Sequence, residues 1–194
     1  MKHCILAVLL LCAVAISVGQ DKPTGFRADL LGQMEYVQKQ IMDLENAIPD
    51  KKMSWRPNKE VRSISEVYLH IAFANYLLPN IAGVTPPADA MWASGDGEKW
   101  EKSTKNKKDI ADKLHKSFDF VKDAIKNMPD ADLEKHVSFF GQDMTVRSVM
   151  LGELSHLHEH LGQSIAYARM NGVVPPWTAA QQAAEKKEKM NKKS

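Results

Sequence analysis

The chain has 194 residues, which is enough for one domain with a sizeable hydrophobic core. It carries 26 basic and 24 acidic residues, a formal net charge of +2, and five of its lysines lie in the nine residues before Ser194. The rest of the chain is therefore close to neutral. This balance excludes the basic surface that nucleic-acid binding requires, so we expect no nucleic-acid partner.

The first nineteen residues have the composition of an export signal. A lysine precedes an apolar run over residues 5–18, and Ser17 and Gly19 place small residues at −3 and −1 of a cleavage site before Gln20. We therefore predict a signal peptide over residues 1–19, with export to the periplasm or the medium. The alternative is a retained anchor, but the apolar run is short and polar residues follow it.

Both cysteines of the chain, Cys4 and Cys12, fall inside this predicted signal peptide. The mature protein would then have no disulfide framework, no cysteine nucleophile and no thiolate ligand. Any metal site must be built from histidine, aspartate or glutamate side chains. Contact with a membrane is expected only through the signal segment before cleavage.

Two amphipathic helices are predicted after a short linker over residues 20–25. Apolar residues recur every three or four positions over residues 27–48, which indicates the first helix. Ser63 and Glu66 match a capping box that opens the second helix. His70 falls among the apolar positions of that helix. A lone histidine there is usually a satisfied core residue, but it is also where a bundle places a ligand on an inward face.

The middle of the chain alternates long connections with a third helix. Residues 88–106 form a connection that we interpret either as a lid or binding loop, or as a surface loop pinned by its two tryptophans. The third helix is predicted over residues 109–128, with His115 at the rim of its apolar stripe. Residues 129–144 break the helical pattern and contain at most a brief strand-like crossover.

The next helix, predicted over residues 145–172, carries His156 and His160 four positions apart. This spacing places both imidazoles on one helix face, beside the apolar stripe, whereas His158 points the opposite way. Thr145 can cap the start of the helix. Two histidines so spaced can bind one metal ion. They can also be ordinary polar residues on an exposed edge.

Glu153 and Gln163 share the face of the histidine pair. Each can orient a ligand or a bound water, or can form an ordinary polar contact within the bundle. The last residues, 178–194, are rich in alanine, glutamate and lysine without an apolar stripe, and are expected to form a surface tail. Four amphipathic helices joined by two long crossovers predict an all-α fold, a four-helix bundle over residues 26–177.

Three segments carry a wider pattern, namely W-R-P, R-S-I-S-E-V-Y-L-H-I-A and H-L-H-E-H-L-G-Q-S-I-A-Y-A-R-M-N-G-V-V-P-P. With them the sequence resembles the DinB-like family of bacterial four-helix bundles over nearly the whole predicted domain. Members have a histidine midway along the second helix and an H-x-x-x-H-x-G-Q pattern on the last. His70, His156 and His160 match these positions. The resemblance implies that the three histidines hold a divalent metal ion, Zn²⁺ or Ni²⁺ before others.

The resemblance also bears on function. Bacillithiol S-transferases and the mycothiol-dependent maleylpyruvate isomerase belong to the same group, but their thiol cofactors are cytosolic and this chain carries a predicted export signal. The enzymatic interpretation we favour is therefore a metal-dependent hydrolase of an unidentified small molecule. No residue stands out as a general base, and Glu153 and His158 are the two candidates.

Two other interpretations of the histidine site remain open. The bundle can be a non-catalytic module that binds metal or a small ligand, or the metal can clip its helices together. A homodimer formed by helix packing is a further expectation.

Overall fold

The computed structural model describes residues 22–88, 90 and 96–192. These residues are mainly helical, as predicted for an all-α four-helix bundle, and the four long helices are α1, α2, α4 and α5. In chain order the elements are α1 (Gly25–Ala47), α2 (Ile64–Ile81), α3 (Gly97–Glu101), α4 (Lys107–Asn127), β1 (His136–Phe139), β2 (Gln142–Thr145), α5 (Val146–Met170) and α6 (Pro176–Asn191). The predicted signal peptide with its cysteines, residues 20–21 of the linker, Trp92 of the long connection and the last two residues lie outside the described part.

The long helices of the bundle include both parallel and antiparallel neighbours. The guanidinium of Arg147 lies 4.7 Å from the ring centroid of Phe26, which brings the starts of α1 and α5 to the same end of the bundle. At the other end, the Nζ of Lys107 donates a hydrogen bond to the carbonyl of Ile48 at 2.8 Å, so the start of α4 lies beside the end of α1. Thus α5 runs parallel to α1, and α4 runs antiparallel to it.

Apolar side chains from the four long helices fill the core of the bundle. On α1 the fully buried positions follow the predicted helical spacing, and they are Met34, Val37, Ile41 and Leu44. Burial of each such side chain stabilises the fold by about 1.5–3 kcal/mol. A polar contact lies within this core, where the Nδ2 of Asn75 on α2 donates to the Oγ of Ser117 on α4 at 3.0 Å.

The two predicted helix caps are present. The side chain of Ser63 accepts from the backbone N–H of Glu66 while the Glu66 carboxylate accepts from the backbone N–H of Ser63, which is the predicted capping box. The Oγ1 of Thr145 accepts from the N–H of Ser148 at 3.2 Å and starts α5. Each cap satisfies a backbone donor that the helix itself leaves unpaired, and each fixes the phase of a helix that carries histidines.

The second crossover differs from its prediction in detail. The sequence indicated at most a brief strand-like segment, whereas the structure contains two paired strands, β1 and β2, in an antiparallel hairpin. Phe140 and Gly141 form its two-residue turn with φ angles of 47° and 81°. Positive φ at both positions is typical of the turn that matches the twist of a hairpin.

The first crossover contains α3, which packs on α2. A Cβ added to Gly97 would lie 3.0 Å from the ring of Phe73, a tighter contact than Cβ atoms usually make, so glycine favours this close approach. The Nε1 of Trp100 donates to the carbonyl of Leu69 at 3.2 Å. Trp100 therefore pins this part of the crossover to α2 and holds Glu101 against the bundle, while the other predicted tryptophan, Trp92, lies outside the described residues.

The C-terminal α6 begins at Pro176, two residues before the predicted boundary of the tail. None of its described residues is buried, which agrees with the predicted surface position. No helix within the described ranges combines the length and the apolar character that crossing a bilayer requires.

Candidate metal centre

Three histidine side chains meet between α2 and α5. His70 comes from the middle of α2, and His156 and His160 come from successive turns of α5. One ring nitrogen from each lies within 4.8 Å of the others. The ring centroids are 4.4–5.0 Å apart. The residues singled out in the sequence are thus brought together by the fold.

The histidines lie at the edge of the core. His160 is buried with 8% of its surface exposed, and the side chain of His70 keeps 20% of its surface exposed. His156 is half-buried between them. This position follows from the phase of α5, where the histidines flank the apolar stripe.

A carboxylate from the crossover holds His70. The Nδ1 of His70 lies 2.6 Å from the Oε1 of Glu101, and Arg62 donates to both Glu101 oxygens at 2.7 and 3.1 Å. Burial raises the pKa of Glu101, but the hydrogen bonds from His70 and Arg62 outweigh burial and lower the pKa below its ordinary value. Glu101 is therefore an ionised acceptor, which places the proton of His70 on Nδ1 and directs Nε2 towards the other histidines.

Sequence reasoning missed both Glu101 and Arg62. They lie in connections, outside the amphipathic helices in which ligands were sought. The nearest signal was Trp100 beside Glu101, which indicated that this part of the crossover packs against the bundle. Nothing in the spacing of Arg62, His70 and Glu101 predicts their contact.

Gln163 holds His160 in a similar way. Its Oε1 lies 2.8 Å from the Nδ1 of His160, and its Nε2 donates to the hydroxyl of Tyr167 at 3.1 Å. The sequence left open whether Gln163 orients a ligand or makes an ordinary contact. The structure shows the contact with His160, which leaves the Nε2 of that ring free to face the centre.

Glu153 is fully buried, and it makes no polar contact within the bundle among the described residues. Within the described residues, neither of its oxygens has a hydrogen-bond partner, and the buried Nδ1 of His156 has none either. Burial raises the pKa of Glu153 to about 8. It is therefore mostly neutral at pH 7.

The imidazoles of the α5 pair are held in their neutral form. Burial lowers the pKa of His156 to about 3, with further lowering by His160, His70 and Arg62. Burial also lowers the pKa of His160, although the hydrogen bond with Gln163 opposes this shift. A neutral imidazole is the form that binds a metal ion.

The arrangement fits a divalent metal ion. The Nε2 atoms of His70 and His156 lie 3.0 Å apart. In a tetrahedral site with ligand bonds of 2.0–2.1 Å, two nitrogen ligands are separated by about 3.3 Å, so this pair needs only a small adjustment. Nitrogen ligands suit Zn²⁺ and Ni²⁺ among others. Three protein ligands leave a coordination position for water or substrate.

The other helical histidines do not contribute to this centre. His158 is exposed, and its Nδ1 lies 2.9 Å from the carbonyl of Leu154 on its own helix. A position two residues from His156 and His160 faces the opposite side of α5, so the candidate general base His158 does not reach the site. His115 on α4 is also exposed, as expected.

A cleft of about 710 Å³ lies next to the residues that hold two of the histidines, although none of the three histidines lines it. Glu101 and Gln163 line it, and these are the side chains that contact His70 and His160. The described lining contains four basic and four acidic residues, which are Arg56, Lys59, Arg62 and Lys102 with Glu60, Glu66, Glu98 and Glu101. The cleft is therefore polar and balanced in charge.

Comparison with known proteins gives a consistent result. The family described as the DinB superfamily matches residues 33–164. The fold is similar to a DinB-like protein from Bacillus cereus, at 20% identity and a TM-score of 0.67 over 77% of this chain and 95% of that one. It is also similar to a DinB-like protein from Bacillus subtilis, at 17% identity and a TM-score of 0.58 over 74% and 92% of the two chains.

A third similar structure is the mycothiol-dependent maleylpyruvate isomerase, at 12% identity and a TM-score of 0.58 over 72% of this chain and 62% of that one. Among curated proteins, none matches this sequence. At these identities the likeness to solved structures extends to the fold alone.

Proposed function

This chain belongs to the DinB superfamily, and on that premise we propose that it binds one divalent metal ion through His70, His156 and His160. We further infer that it uses the ion to hydrolyse a small polar molecule. The observation that carries the proposal is the convergence of three ring nitrogens within 4.8 Å, beside a cleft lined by Glu101 and Gln163. Zn²⁺ and Ni²⁺ are the ions that this donor set suits best.

A divalent ion in such a site polarises a carbonyl or phosphoryl oxygen and makes water a better nucleophile at neutral pH. The protein's own residues supply orientation. Glu101 and Gln163 accept hydrogen bonds from the Nδ1 atoms of His70 and His160, so both Nε2 atoms face the same point. The buried side of the centre keeps bulk water away from the ligands.

The cleft supports a polar substrate. Arg56 pairs with Glu66 at 2.6 Å, and Lys102 pairs with Glu98. In the part of the chain that the structure describes, Lys59 and Glu60 are the cleft side chains that form no ion pair. These exposed charges of opposite sign are available to a ligand that carries polar or charged groups of its own.

The export signal predicted over residues 1–19 favours hydrolysis over thiol transfer. The thiol cofactors of the related enzymes are cytosolic and would not be available to an exported protein, whereas hydrolysis needs only water as the second substrate. We propose that the mature protein begins at Gln20. N-terminal sequencing of protein recovered from the periplasm or the medium tests this start. Recovery of the uncleaved chain from the cytoplasm would contradict it.

Metal analysis of the untagged mature chain tests the centre. We expect about one equivalent of a first-row divalent ion, lost in His70→Ala, His156→Ala and His160→Ala. His158→Ala is the matched control on the same helix and should keep the metal. Circular dichroism checks that each variant is folded. Wild-type protein that takes up no metal after reconstitution would refute the proposal.

Hydrolysis is tested with a panel of chromogenic esters, amides and phosphoesters. Activity should disappear on chelation, return when metal is restored, and be absent in folded His156→Ala. A metal-loaded protein that binds members of the panel without turnover would instead be a binding module.

A further inference from the structure

The carboxyl group of Glu153 has no evident role in the fold. Its residue exposure is 0%, and among the described residues neither oxygen finds a hydrogen-bond donor. A buried polar group without a partner destabilises a protein, so such groups are rare in native structures. This one lies on the helix that carries two of the three histidines.

His156 differs from the other two histidines in its second ring nitrogen. The Nδ1 of His70 contacts Glu101, and the Nδ1 of His160 contacts Gln163. The Nε2 of His156 faces His70 at 3.0 Å, but its buried Nδ1 has no partner in the described part of the chain. Two of the three histidines therefore have an acceptor at Nδ1, and His156 does not.

Glu153 and His156 are three residues apart on α5. Side chains at this spacing share a helix face, with Cβ atoms about 5–6 Å apart. Helical side chains also lean towards the N-terminus, so the ring of His156 leans over the turn that carries Glu153. The unpaired carboxyl group and the unpaired ring nitrogen thus belong to the same small region of the interior.

Binding of a metal ion at the Nε2 of His156 would turn its Nδ1 into a hydrogen-bond donor that needs an acceptor. A neutral imidazole has one proton, and when Nε2 donates its lone pair to a metal ion the proton resides on Nδ1. His156 then presents a buried N–H group, which is costly unless an acceptor is near. Glu153 offers two oxygens that no other described residue contacts by a hydrogen bond.

We propose that Glu153 is the positioning residue of His156, and that its carboxyl group accepts the Nδ1–H of His156 when the metal centre is filled. This inference rests on the proposed metal site. It completes a set of three acceptors, Glu101, Gln163 and Glu153, with one for each ligand. Unlike the first two contacts, this one forms only in the loaded protein, so it couples metal binding to the packing of α5.

The proposal predicts opposite effects of one substitution on two properties. Glu153→Leu removes the unpaired polar group, so the metal-free variant should melt at a higher temperature than wild type. The same variant should bind metal about 10–100-fold more weakly, because His156 loses its acceptor. Glu153→Gln keeps an oxygen acceptor and should lose less affinity. Affinities are measured by competition with a chromogenic chelator at fixed pH.

Glu45 provides the matched control, since it is buried on α1 and its Oε1 is also unpaired among the described residues. Glu45→Leu should raise the melting temperature of the metal-free protein and leave metal affinity unchanged. In ¹⁵N-labelled, zinc-loaded protein, the His156 Nδ1–H should give a slowly exchanging NMR signal. That signal should be lost or strongly shifted in Glu153→Leu.

The outcomes separate this inference from the proposed function. Wild-type protein that binds no metal would overturn the proposed function. Wild-type protein that binds metal while Glu153→Leu binds it equally tightly would overturn only the role of Glu153. An equal loss of affinity in Glu153→Leu and Glu45→Leu would also overturn it, because both changes would then act through general packing.

Discussion

The Oε1 of Glu101 lies 2.6 Å from the Nδ1 of His70, although the two residues are 31 positions apart in the sequence. Glu101 closes the short helix of the crossover, and Arg62 anchors the other side of its carboxylate. The path of the crossover therefore sets the orientation of one candidate ligand. Substitutions in the crossover should therefore change the metal affinity of the centre.

Removal of the Glu101 carboxylate should weaken metal binding. Glu101→Ala leaves the Nδ1–H of His70 without its acceptor, and we expect metal affinity to fall by about 10–100-fold. Chelator competition measures the change. Glu98→Ala is the matched control, because Glu98 lies on the same helix and pairs only with Lys102 among the described residues. Equal affinities for the two variants would contradict the predicted role.

A methyl group at Gly97 should displace the crossover helix. The added Cβ would lie 3.0 Å from the ring of Phe73, and we expect the contact to be relieved by a shift of α3 of a few tenths of an ångström, which would move Glu101. Gly97→Ala should therefore lower metal affinity and destabilise the protein. Gly32→Ala on α1 is the control, since no atom lies within 4 Å of its Cβ and alanine in a helix stabilises by about 0.5–1 kcal/mol. Calorimetry with chelator competition separates the two effects.

The hairpin turn should tolerate an exchange that improves stability. Phe140 has a φ of 47° and 83% of its surface is exposed, so a bulky side chain adopts a left-handed conformation without the benefit of burial. Asparagine adopts this conformation more readily, and Asn-Gly is a preferred pair in such turns. Phe140→Asn should stabilise the protein by about 1 kcal/mol, measured by urea unfolding. Phe140→Leu keeps the strain and should give no gain.

Stability should depend on pH through Glu45. Burial raises the pKa of this carboxyl to about 7, although Lys107 lowers it in part and Asp50 adds to the rise. Because the folded state holds this proton more tightly than the unfolded state, its contribution to stability is lost as pH rises from about 4.5 through about 7. Glu45→Gln lacks this titration and should gain stability relative to wild type over that window.

The gain of Glu45→Gln over wild type should reach about 3 kcal/mol above pH 7. Urea unfolding at several pH values, with chelator present, measures the difference between the two proteins. Other titrating groups cancel in that difference. A difference that does not change between pH 4.5 and 7.5 would show that the Glu45 carboxyl does not titrate in this way.

Much of the fold followed from local patterns. The apolar spacing of Met34, Val37 and Ile41 predicted α1, and the Ser63–Glu66 capping box predicted where α2 begins. The position of Trp100 indicated a crossover that packs against the bundle. The all-α four-helix bundle and the family were predicted correctly. For the hairpin, the sequence predicted at most one brief strand-like segment, whereas the structure contains two paired strands. Short strands carry a weak pattern, because four residues show only two alternations.

By itself, the sequence determined that His156 and His160 share one face of a helix, because a spacing of four residues fixes their relative direction through the covalent geometry of the backbone. The resemblance to a known family added His70 to the pair. Only the tertiary structure decided that His70 meets them across 86 positions, that Glu101 and Gln163 hold two of the rings, and that Glu153 is buried without a partner. Such contacts depend on how helices pack and which path a crossover takes, and neither is encoded in the spacing of residues along one helix.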